Sequence, residues 1–171
     1  MIAGIFTIVF IFLFSLQTSL MSYFSVGGVT LDLALILVVY CGVLLKGDRG
    51  IWTGFAIGLV QDCLSGGLLG VNTLSKSIIG FTFSTLKDKL VVVGFVPISV
   101  ILLAASFFDG LVYYLIATTL LEARIPFSFL FSTIPTYAMY NALLGPILFF
   151  FINWIKQWTL RRFPLLEGFT R

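Results

Sequence analysis

Four charged residues, Asp32, Asp62, Lys76 and Asp109, stand inside otherwise apolar stretches of this 171-residue chain. A charge in such surroundings costs about 2.5–3.5 kcal/mol on insertion scales, so it is normally met by another group between helices. The densest polar stretch runs from Gly58 to Lys76. It holds the Gln61 amide, the Asp62 carboxylate, a turn with Gly66, Gly67 and Gly70, the Asn72 amide and the Lys76 ammonium. Ion pairing, a transport site or a neutral carboxyl are the chemistries open to such a set. Catalysis is not among them. The chain has no histidine, which removes the usual general base and the commonest metal ligand. No Ser/His or Cys/His pair and no phosphate-cradling loop with a following Lys-Ser/Thr is present. The sequence therefore leads us to expect no enzyme, no cofactor and no metal. Cys41 and Cys63 lie far apart in different apolar segments and read as free, buried thiols that pack as small hydrophobes.

The elements that must position these residues are membrane helices. Hydrophobic residues make up 60% of the chain and charged residues 10%, too few charges to clothe a soluble surface. The expected fold is all-α: a polytopic membrane protein forming one integral membrane domain over residues 1–171. A span needs about 20 apolar residues, and six segments are read as helices, over 3–23, 30–45, 51–64, 71–86, 98–121 and 129–155. The first lacks a basic leader and a small-residue cleavage site, so it reads as a retained helix. The second to fourth are short for lone spans, which suggests that they pack together. Pro135 and Pro146 mark kinks or boundaries in the last.

Eight of the ten Lys and Arg residues, among them Lys46, Arg49, Lys87, Lys89 and Lys156, fall on one side of this arrangement. The positive-inside rule then places both termini in the cytoplasm. Trp154 and Trp158 beside the basic tail fit an interfacial anchor, and the tail's charge suits anionic lipid better than nucleic acid. At about 1.5 Å per residue, Asp32, Asp62 and Lys76 lie at comparable depth near the external face, where they can form one mutually satisfied cluster. Asp32 can also cap its own helix. Asp62 and Lys76 read as an internal packing pair, and Asp109, near mid-helix, as either a buried partner for Lys76 or a neutral carboxyl. Gly54 and Gly58 form a GxxxG that lets a neighbouring helix come close. With Gln61 they share a face that Asn72 and Lys76 can answer from the next helix. Tyr137, Asn141 and Gly145 read as interhelical contact positions.

An ordered series of motifs resembles the MreD family of the bacterial rod-shape (elongation) system. It comprises Leu16-Gln17-Thr18-Ser19, Gly28-Val29-Thr30-Leu31-Asp32-Leu33-Ala34-Leu35 and Gly54-Phe55-Ala56-Ile57-Gly58-Leu59-Val60-Gln61-Asp62. Leu64-Ser65-Gly66-Gly67-Leu68-Leu69-Gly70-Val71-Asn72-Thr73-Leu74 and Ile79-Gly80 complete it. The specific part covers residues 12–86. Leu31 and Leu68 stand where the family often has Pro, so the local turn geometry departs from the family pattern. The resemblance implies a non-enzymatic inner-membrane partner protein that acts with MreC. The elongation penicillin-binding transpeptidase, its SEDS glycosyltransferase and MreB filaments are the implied members of the same complex. It also implies a fold resembling the substrate-binding components of energy-coupling-factor transporters, and hence an alternative: capture of a small solute on the external side. Asp32, Gly54, Gly58, Gln61, Asp62, Gly67, Gly70, Asn72, Lys76 and Asp109 are the candidate intramembrane polar and partner-contact residues; membrane lipid is the remaining expected partner, with no nucleic acid.

Overall fold

A computed structural model describes residues 29–45, 47–65, 69–89, 94–119 and 124–162. Among them are five α-helices: α1 (Leu33–Leu44), α2 (Arg49–Ser65), α3 (Val71–Leu86), α4 (Phe95–Thr119) and α5 (Ser128–Arg162). A 3-10 turn, Lys87–Lys89, follows α3. The apolar segment 3–23, Lys46 and Gly67 lie outside the described residues.

Local chemistry sets the helix ends. Asp32 is the N-cap of α1: its backbone is extended, and its carboxylate accepts from the Leu35 N–H at 3.0 Å, which satisfies a donor the helix cannot. Gly70 and Gly94, each with a φ of +100°, precede α3 and α4, and that left-handed conformation favours glycine. Helix α4 therefore starts at Phe95, three residues before the expected boundary. Pro97 falls in its first turn, where a missing N–H leaves no bond unmade. Helix α5 continues through Pro135 and Pro146, so neither proline is a boundary. Each removes one backbone bond, and packing and length on both sides hold the rest.

Helices α2 and α3 form one antiparallel pair, α4 and α5 another, and α1 lies between them, touching all four. The run Leu-Ala-Leu-Ile-Leu-Val-Val explains that position. A helix apolar all round must be surrounded, and Leu35, Ile36, Val38 and Val39 are fully buried. Around them close Ile79 of α3, Ile98 and Leu102 of α4 and Phe149 of α5.

The surface is the inverse of a soluble protein's. Trp52, Phe131, Met139, Leu143, Ile147 and Trp154 are largely exposed, while Asp62, Lys76 and Asn141 are buried. On α5 the exposed apolar residues recur at 139, 143, 147, 151, 154 and 158, a continuous helical stripe. Water does not tolerate an apolar surface of this extent on a monomer. Two helices, Phe95–Thr119 and Ser128–Trp158, are long and apolar enough to cross a membrane. Helix α5 in full is about 52 Å long against a hydrocarbon core of about 30 Å.

Candidate functional site

Polar side chains from all the described helices or their caps converge on Asp32 and Lys76. The Lys76 Nζ, on α3, uses its three donors on Asn72 Oδ1 at 2.9 Å, Asp32 Oδ2 at 3.1 Å and Asp109 Oδ1 at 3.4 Å. Its side chain has no exposed surface. From α2, Gln61 Nε2 donates to the Asp32 carboxylate at 3.3 Å. From α4, Asp109 also accepts from the Ser75 hydroxyl at 2.5 Å. From α5, the Asn141 Oδ1 accepts from the Asp32 backbone N–H at 3.0 Å. The Tyr137 hydroxyl stands 3.0 Å from Asp32 Oδ2 and 3.1 Å from Asp109 Oδ2, so its single proton serves one carboxylate at a time. Burying an isolated charge is prohibitive, and these groups are tolerable together only because they complete one another.

Asp62 is not part of that ion-pair set. The expected Asp62–Lys76 pair is corrected: Asp62 turns to the start of α3 and accepts the backbone N–H groups of Gly70 (2.9 Å), Asn72 (3.1 Å) and Thr73 (2.9 Å). Asn72 Nδ2 and the Thr73 hydroxyl add bonds at 2.9 and 2.6 Å. A helix start leaves four N–H groups without intrahelical partners, and Gly70, as the residue before α3, offers no side-chain cap. A carboxylate from the preceding helix supplies it, with favourable charge at the helix's positive end. Asn72 joins the two centres, donating to Asp62 and accepting from Lys76.

The second carboxylate beside Lys76 is Asp109. Counting depth from each helix's own end separated the two residues, but the 25-residue α4 overhangs the 16-residue α3. That overhang, which sequence cannot supply, brings mid-helix Asp109 level with Lys76. Tyr137 and Asn141 were readable as an i, i+4 face of polar contacts; their target, Asp32, was not.

The glycines set how closely α2 and α3 meet. A Cβ on Gly54 would collide with the Lys76 carbonyl oxygen, and one on Gly58 would lie 2.5 Å from the Asn72 carbonyl oxygen. Gly50, not singled out from the sequence, continues the row against Gly80. The seam therefore brings the α3 backbone against α2 at the turns that carry Asn72 and Lys76. Cys63 is exposed on α2 rather than buried, and Cys41 is half-buried; both are free thiols.

Two atoms at the edge of the cluster, Gln61 Oε1 and Asn141 Nδ2, are buried without a hydrogen-bond partner among the described residues.

Asp62→Ala should lower stability by about 2 kcal/mol, since it leaves several buried donors unmet. Asp62→Asn should rescue little, because an amide offers one acceptor oxygen where the carboxylate uses two. Thermal unfolding of the purified protein in detergent measures both; an unchanged midpoint for Asp62→Ala would show the cap to be dispensable.

Compared with known proteins, the chain matches the family model for rod shape-determining protein MreD over residues 1–157. No curated protein and no solved structure matches it.

Proposed function

The chain belongs to the MreD family of rod shape-determining membrane proteins, and on that premise we propose that it is a non-enzymatic scaffold of the elongation complex. In this reading it binds MreC in the inner membrane and so couples lateral peptidoglycan synthesis to cell shape. The observation that carries the reading is how the polar cluster uses its groups. Asp32, Lys76, Asp109 and Tyr137 direct their hydrogen bonds at one another across helices, which is the chemistry of a lock that holds a surface in shape. A rigid bundle of this kind presents its outer faces to another helix, and packing of small residues and van der Waals contact drive such association in lipid.

Six spans with both termini in the cytoplasm complete the proposal. The support is the distribution of Lys46, Arg49, Lys87, Lys89 and the basic tail under the positive-inside rule. A reporter fused to the C-terminus should be active only in the cytoplasm; activity outside would overturn the orientation. Depletion in a rod-shaped host should give rounded cells, and MreC should copurify with the tagged protein from native membranes. Rods of unchanged shape would sink the reading.

A second reading, capture of a small solute by a fold like that of energy-coupling-factor substrate-binding components, draws on one observation. The unpartnered Gln61 Oε1 and Asn141 Nδ2 flank Asp32, an acceptor and a donor left to receive a ligand. Mass spectrometry of small molecules in the same purification distinguishes the two: a stoichiometric solute without MreC favours this second reading.

A further inference from the structure

A cleft of about 270 Å³ opens at the opposite end of α1 from the polar cluster, between α1, the start of α4 and the C-terminal half of α5. Its lining is graded. Ile98 and Phe149 form the apolar floor, with Tyr40 set edge-on to Phe149 at a centroid distance of 4.9 Å. At the rim the Tyr40 hydroxyl donates to Asn153 Oδ1 at 3.4 Å. Gly94, in its left-handed conformation, lines the cleft beside it.

One turn beyond the rim stands a cation. Phe149, Asn153 and Lys156 follow i, i+4, i+7 spacing on α5 and share a face. Lys156 itself is half-buried on that face. Lys87, which also reaches this end, donates to the Leu44 carbonyl. The order along the cleft is thus hydrocarbon floor, neutral hydrogen-bonding rim, positive mouth. A glycerophospholipid has the same order in acyl chain, ester-linked glycerol and phosphate. An apolar helix from a partner protein would have no use for a cation at the mouth, and a free anion none for an aromatic floor.

We propose that this cleft holds one acyl chain of an anionic glycerophospholipid, with the headgroup phosphate on Lys156. The membrane side this end faces does not enter the argument, and neither does the partnership with MreC, so the proposal stands apart from the scaffold reading. It goes further than a general attraction of basic tails to lipid, because it names a chain pocket and a single headgroup contact.

The full chain, purified in detergent and stripped of lipid, is titrated with phosphatidylglycerol and with phosphatidylcholine of the same acyl composition and read by native mass spectrometry. One phosphatidylglycerol should bind, with about tenfold preference over phosphatidylcholine, as expected for one charge-assisted contact. Lys156→Gln should abolish the preference while leaving chain binding, and Val43→Phe, which fills the cleft from α1, should weaken binding of both lipids. The proposal is overturned if no lipid binds, if wild type shows no headgroup preference, or if both variants bind as wild type does. A photoreactive residue at Phe150, which lines the cleft, should crosslink to lipid in native membranes. Crosslinking there to a protein would also overturn it.

Discussion

Lys76→Met should remove about 3–5 kcal/mol of stability, the cost of breaking a buried ion pair from one side. Methionine nearly matches the length of lysine and leaves no large cavity, so the loss is electrostatic. Asp32 and Asp109, only 6% and 8% exposed, would lose their counter-ion with little water to replace it, whether they stay charged or take up protons. Against a typical total of about 5–15 kcal/mol, that is enough to deplete the folded protein. Detergent-solubilised yield of a monodisperse fluorescent fusion, followed by thermal unfolding, reads the effect. Lys76→Arg should not rescue, because a guanidinium needs room that a side chain with no exposed surface does not have. Neutralising the partners should: Lys76→Met combined with Asp32→Asn and Asp109→Asn recovers much of the loss, since an uncharged cluster no longer demands a counter-ion. A Lys76→Met protein as stable as wild type would show that the cluster does not hold the bundle together.

Gly54→Val should destabilise by about 3 kcal/mol or more, at the upper end of overpacking effects. The new Cβ would meet the carbonyl of Lys76 and, at 2.9 Å, the Cα of Ser77. Backbone of a packed helix cannot swing aside as a side chain can, so α2 and α3 must separate. Separation also draws Lys76 away from Asp32 and Asp109, so the double variant Gly54→Val, Lys76→Met should lose less than the sum of the single losses. Gly110→Ala is the control. Its Cβ would lie 3.0 Å from the Cγ2 methyl of Ile134, a side chain rather than backbone, so a shift of a few tenths of an ångström relieves the contact and the cost should stay near 1 kcal/mol. Equal losses for Gly54→Val and Gly110→Ala would show that the seam is not the close contact described.

The membrane class and most helices could be read from the chain, for a simple reason. An apolar run long enough to cross a bilayer has few other ways to satisfy its backbone, and Asp32 and Gly70 mark their helix starts by local chemistry alone. The close α2–α3 approach was also readable, because Gly54 and Gly58 at i, i+4 describe a groove before any partner is known. Pairing was not. Asp62 and Lys76 are close in sequence and opposite in charge, yet Asp62 serves three backbone N–H groups next to it in space, because orphan donors at a helix start are nearer and already aligned. Lys76 instead pairs with Asp32 and with Asp109, the latter 33 positions away and open in the sequence to two readings.

What the sequence determined by itself is the solvent, the helical class, the family motifs and the set of polar residues that must be buried. Those follow from composition and short-range spacing, which act within one helix. Which carboxylate meets which cation was decided only by tertiary structure. It depends on relative helix length and offset: α4 extends past α3, α5 lays Tyr137 between two aspartates, and α1 is enclosed by both pairs. Such offsets arise from packing between segments far apart in the chain, and no local pattern carries them.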